Sequence, residues 1–147
     1  MKEKRIIKFR VWLPSMDEMF QPTNKQMSIF NDGSFDIEGL PCEGGILMQF
    51  TGLKDKNGKD IYEGDGCKMM VEKNFPPDPV TGEEDGVHKS LTGEVISIPS
   101  KGTCIKNPRF ECFNSGDMGL QKGYYQISAY RTEVIGNIYE QPELLTN

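Results

Sequence analysis

Hydrophobic and polar positions alternate with a period of two over the first recognisable element. Ile7, Phe9 and Val11 interleave with Lys8, Arg10 and Trp12. Such alternation of β-branched and aromatic residues predicts a strand. Pro14-Ser15 ends it, and Met16, Met19 and Phe20 then fit either one helical turn or a loop and short strand. Pro22-Thr23-Asn24 breaks that segment. Met27 to Phe30 reads as a strand closed by Asn31-Asp32-Gly33, and Phe35 to Ile37 as another. Gly39, Pro41, Gly44 and Gly45 mark a loop. Leu47 to Phe50 is apolar, and Asn57-Gly58 is the strongest hairpin signal in the chain. A type I′ turn needs positive φ at both central residues, which that dipeptide tolerates. Lys54, Asp55, Lys56, Lys59 and Asp60 are expected to keep the tip in water.

Gly64-Asp65 forms the next predicted turn, with a strand over Lys68 to Glu72. From 73 to 89 the pattern collapses. Three prolines in Phe75-Pro76-Pro77-Asp78-Pro79 cannot sit in a central strand, so the stretch is expected to be a long surface loop. Strand patterns resume at Gly93 to Ile98, Cys104-Ile105, Arg109 to Phe113, Tyr124 to Ser128 and Thr132 to Ile135. Pro142 suits the first position of a terminal helical turn. Short strands at spacings of roughly 8–12 residues predict a mainly β fold. The expectation is a small SH3-like barrel or β-sandwich with little helix. Residues 1–147 are expected to form a single domain, with an N-terminal β-lobe over about 1–45 and a barrel-like part over about 46–147.

Composition agrees. Sixteen glycines and a single alanine, Ala129, argue against an α-rich chain. The net charge of −5 weakens non-specific nucleic-acid binding. No apolar run approaches the ~20 residues of a membrane span. Lys8 and Arg10 interrupt the only apolar start, so the chain reads as soluble and unexported. Cys42, Cys67, Cys104 and Cys112 include no Cys-x-x-Cys pair, and are read as four reduced thiols.

Three blocks carry a resemblance. They are Ile7-Lys8-Phe9-Arg10-Val11-Trp12 followed by Met19, the stretch from Met48 to Asp65, and Val134-Ile135-Gly136-Asn137-Ile138-Tyr139-Glu140-Gln141-Pro142-Glu143-Leu144-Leu145. Together they resemble the YopX-like family of phage and prophage proteins. Two features depart from it: Gly66 stands where the family has an aliphatic residue, and Phe75 to His88 looks like an insertion. The resemblance implies a phage- or prophage-encoded protein of the bacterial cytoplasm, with homo-oligomerisation allowed. It carries over no catalytic residue.

The motif residues Gly52, Asn57, Gly58, Gly64, Asp65 and Gly136 read as architecture, with Asp65 accepting backbone N–H bonds beside its turn. A Glu63–Asp65 carboxylate pair for acid–base chemistry is the functional alternative. His88 is the single histidine and is expected in a solvated loop, which excludes a two-histidine zinc site within one chain. Asp78, Glu83, Glu84 and Asp85 do not fit a calcium loop. Both Gly-x-x-x-x-Gly-Lys-Ser/Thr and Gly-x-Gly-x-x-Gly are absent. Lys2, Lys4, Arg5, Lys8 and Arg10 surround Phe9 and Trp12, a composition suited to single-stranded nucleic acid. Lys8, Arg10 and Trp12 are the candidate contacts. The competing reading puts Phe9 in the core and the basic residues on a solvated face. Of Tyr124 and Tyr125, one ring is expected inside and one outside. The function expected is a non-enzymatic accessory module with an unidentified protein partner and no cofactor, metal or membrane. A nucleic-acid-binding small barrel is the alternative, and an enzyme with an unrecognised site the third reading.

Overall fold

The computed structural model describes residues 6–22, 25–74, 79–82, 86–113 and 115–145. The chain is mainly β, and three sheets account for its strands. The first sheet comprises β1 (Phe9–Leu13), β2 (Glu18–Phe20), β6 (Ile46–Lys54) and β7 (Asp60–Tyr62), in the order β2-β1-β6-β7. A small sheet holds β3 (Met27–Ile29), β4 (Phe35–Ile37) and β5 (Leu40–Pro41). The large, curled sheet contains β8 (Asp65–Asn74), β9 (Gly86–Ile98), β10 (Gly102–Cys112), β11 (Met118–Leu120) and β13 (Thr132–Asn137), in the order β11-β10-β9-β8-β13. β12 (Tyr124–Gln126) also pairs with β10. All pairings are antiparallel. Two 3-10 turns, Ala129–Arg131 and Pro142–Leu145, supply the helical content, the second starting at the expected proline.

Two clusters of apolar side chains hold these layers together. Val11, Phe35 and Ile37 join the small sheet to one face of β1, with Leu13, Phe20 and Leu47 packed around them. Ile61, Cys67, Met69, Leu91, Val95 and Ile105 form the second cluster, which joins β7 to the large sheet. β6 pairs with β1 from Phe9↔Gln49 to Trp12↔Ile46, so strands on either side of residue 45 share the first sheet.

Several local expectations change. Met16–Phe20 resolves into a turn and the strand β2 rather than a helical turn. The predicted 73–89 loop is shorter, because β8 and β9 stay paired out to Asn74↔Gly86. His88 therefore lies on β9 opposite Glu72, half-exposed and 3.6 Å from its carboxylate. Asp78, Glu83, Glu84 and Asp85 fall outside the described residues. β10 is one strand across the bulge between Lys106 and Arg109. Asn107 takes φ 41° there and buried Pro108 follows, a placement that suits a residue with no N–H to give a ladder. Gly66 lies beside a second bulge, where β13 slips register between Val134 and Gly136.

The hairpin tip differs in kind. Gly58 has φ 82° while Asn57 keeps negative φ. The Gly58 N–H donates to the Asp55 carbonyl at 3.0 Å, and the Asp55 N–H to the Lys59 carbonyl at 2.8 Å. The tip is thus a type I turn closed by one left-handed glycine, not the predicted type I′ turn.

Candidate functional site

The motif residues meet where the first sheet touches the large one. Asp55 is buried, against the expectation of a wet tip. Its Oδ1 accepts N–H bonds from Asn57 at 2.8 Å and Lys59 at 2.9 Å, and its Oδ2 accepts from Val134 of β13 at 2.9 Å. The Lys56 N–H donates to the Thr132 carbonyl at 2.9 Å. One carboxylate therefore shapes the turn and fastens it to a strand 79 residues away. Burial alone would raise its pKa, but the N–H donors of Val134, Lys59 and Asn57 outweigh burial and hold it below the ordinary value.

Gly64 is the second joint. Its N–H donates to the Val95 carbonyl and its carbonyl accepts from Ile138, both at 3.0 Å. With φ 85° and Met48 Sδ only 2.8 Å from where a Cβ would stand, the position strongly favours glycine. Gly52 lies in the irregular β6 segment between Phe50 and Lys54, and Gly136 beside the β13 bulge. Asp65 accepts the Tyr62 N–H at 2.8 Å, the turn role expected of it. It also receives Arg10 Nη2 at 2.7 Å, a pairing that sequence spacing did not reveal. Burial pushes the Asp65 carboxyl up, against the pull of Arg10 and the Tyr62 N–H. Asp65 is thus committed to these partners rather than to a carboxylate pair with Glu63, whose carbonyl accepts from Arg10 at 3.4 Å.

Lys8, Arg10 and Trp12 do not share a solvated face. Arg10 and Trp12 are buried, as is Val11 between them. β1 is covered on both sides: Val11 meets Phe35 and Ile37, while Arg10 lies over the Tyr62 ring and Trp12 stacks on Tyr139 at 6.0 Å. Lys8 is half-exposed, bonded to Asp60 and 4.4 Å from the centre of the Phe50 ring. Its hydrogen bond holds the Asp60 carboxyl below the ordinary range and raises the pKa of Lys8 itself. Lys2, Lys4 and Arg5 lie outside the described residues.

All four cysteines are free thiols, Cys67 and Cys104 fully buried. Burial pushes the Cys67 thiol far up, away from nucleophilic character. Tyr125 packs against the core and Tyr124 is exposed, as the doublet predicted.

One feature available to a partner was not visible in the sequence. It is a groove of about 540 Å³ between the β1–β2 hairpin and the β4–β5 hairpin. Its walls are apolar, with Leu13 and Phe20 on one side and Ile37 and Pro41 on the other. Met16 and Leu40 stand at its rim, 64% and 72% exposed. Glu18, Glu38 and Glu43 line the same groove against one cation, Lys25. Among the described residues none of these four forms an ion pair. Among the described residues β2 pairs only with β1, and β5 only with β4, so two open strand edges border it. Open edges and exposed apolar residues are the ordinary elements of peptide capture by strand addition.

Comparison with known proteins adds three findings. A family model described as YopX protein matches residues 8–146. Protein EF1440 from Enterococcus faecalis, known from a crystal structure, is 24% identical, with a TM-score of 0.46 over 97% of this chain and 99% of that one. Glutathione reductase of Yarrowia lipolytica is 29% identical over 126 residues, covering 82% of this chain. The chain spans about a quarter of the length of that curated relative, 25%.

Proposed function

The chain belongs to the YopX family, and from that premise we propose that it is a non-enzymatic accessory module of a phage or prophage. It works by protein–protein contact in the bacterial cytoplasm. The observation that carries the reading is the apolar groove between β2 and β5, with Met16 and Leu40 exposed at its rim. The most buried charged groups support it from the other side. Asp55, Asp65 and Arg10 are engaged in holding turns and sheets together, which leaves them unsuited to turnover. The groove offers shape, apolar area and carboxylates, and two strand edges able to pair with an extended backbone.

A peptide panel tests this. Short extended peptides combining aliphatic with basic residues should be retained by the protein, and Leu40→Asp should abolish retention without changing the fold. Leu40 is exposed, so the substitution costs the core nothing. If no peptide is retained in a Leu40-dependent way, or if the protein turns over a small molecule, the reading fails.

A further inference from the structure

We propose that the β2–β5 groove receives the basic N-terminal arm, residues 2–7, of a second copy of this chain. The proposal rests on the interaction reading above and names its occupant. The arm reads Lys2-Glu3-Lys4-Arg5-Ile6-Ile7. Three cations and one carboxylate precede two aliphatic residues. The groove presents the complement: apolar walls, with Glu18, Glu38 and Glu43 against Lys25. The chain as a whole carries −5, so two copies repel in general. This arm is a local exception, and it meets the acidic groove with the opposite sign.

Ile6 and Ile7 supply the second observation. They are 65% and 62% exposed, side by side, at the entrance to β1. Burial of such aliphatic residues is favourable, and among the described residues both are left exposed. Ile7 borders a different cavity, of about 430 Å³, together with Gln21, Pro22 and Met27. It stands two residues before Phe9 and reaches no farther than about 7 Å from it. The groove is built around Leu13, Ser15 and Met16, beyond the far end of β1. With β1 paired over five residues, that end is roughly 13 Å away at the rise of a strand. The arm's aliphatic pair therefore meets the groove of another molecule more readily than its own. The open edge of β2 allows the incoming backbone to add as a strand.

Charge exchange tests the pairing on the full chain. Sedimentation velocity over a wide concentration series should show self-association that weakens with salt. Lys4→Glu with Arg5→Glu should weaken it about tenfold, as two reversed rim charges at about 0.7 kcal/mol each would. Glu18→Lys with Glu43→Lys should do the same, since both glutamates are exposed. Mixing the arm-reversed and groove-reversed proteins should restore association, because each arm then faces a groove of opposite charge. A synthetic peptide of residues 1–8 should compete. A chain that stays monomeric at every concentration, association indifferent to either reversal, or failure of the mixture to recover would each overturn the proposal. If a foreign peptide still binds in a Leu40-dependent way while the chain stays monomeric, the interaction reading stands and the arm is not the occupant.

Discussion

Replacing Asp55 with alanine removes a carboxylate that accepts three backbone N–H bonds, from Asn57, Lys59 and Val134. Hydrogen bonds to a charged acceptor contribute about 1.5–3 kcal/mol each when measured singly, but the three losses are unequal. Asn57 and Lys59 are exposed at the hairpin tip, where water replaces the lost acceptor. Val134 lies partly buried in β13 and packs against the core. Stranding its N–H costs roughly 1–3 kcal/mol. Loosening the tip, which also holds Lys56 to Thr132, adds to this. The expected total is about 3 kcal/mol, or a fall in Tm of roughly 6–12 °C for a chain of this size. Asp55→Asn should lose less, since one oxygen survives, but its amide places a donor where donors already converge. Urea titration gives the free energy, and amide exchange at Val134 locates it. The pH dependence has a definite sign. The folded carboxyl lies below its ordinary value of 3.8, so its stabilisation is complete above about pH 4 and is lost as pH falls through the folded value. The gap between wild type and Asp55→Ala should therefore narrow in acid. A deficit below about 1 kcal/mol at neutral pH, where a lost buried acceptor should cost more, would refute the reasoning. So would a gap that widens in acid.

Gly58→Val should cost about 1–3 kcal/mol through backbone strain alone, because its Cβ would meet open space; an unchanged urea midpoint would contradict the left-handed turn. Arg10→Met should cost about 3–5 kcal/mol by leaving Asp65 buried and unpaired, and adding Asp65→Asn should recover part of that; full additivity in a double-mutant cycle would mean that the two do not interact. Reductant should leave Tm unchanged, with four thiols titrating after unfolding, and a drop of many degrees would reveal a disulfide. Trp12 fluorescence should be indifferent to oligonucleotides, since the ring is stacked and buried; salt-sensitive quenching would restore the nucleic-acid reading.

Strand positions were legible wherever the pattern was local. Met27 to Ile29 and Phe35 to Ile37 alternate and terminate in turn residues, and both are strands. Sidedness was legible only where one face meets water. Phe9 to Trp12 looks half-polar because a buried Arg10 is indistinguishable in sequence from an exposed one; its partner Asp65 lies 55 residues away. Asp55 was misread for a related reason. Charge density at a hairpin tip suggests solvent, yet the acceptor's third donor sits on β13. The Met118–Leu120 strand has three residues, one a glycine, too few to show a period. The groove is tertiary, its walls joined by the packing of the small sheet on β1.

Hydrogen–deuterium exchange on the protein with a retained peptide tests the central claim most directly. Binding should slow exchange over Glu18–Phe20 and across residues 38–43, the two edges of the groove, while β10 and β11 exchange as in the free protein. Protection confined to β10 and β11, or none anywhere in the presence of saturating peptide, would contradict the assignment of this groove as the protein's working surface.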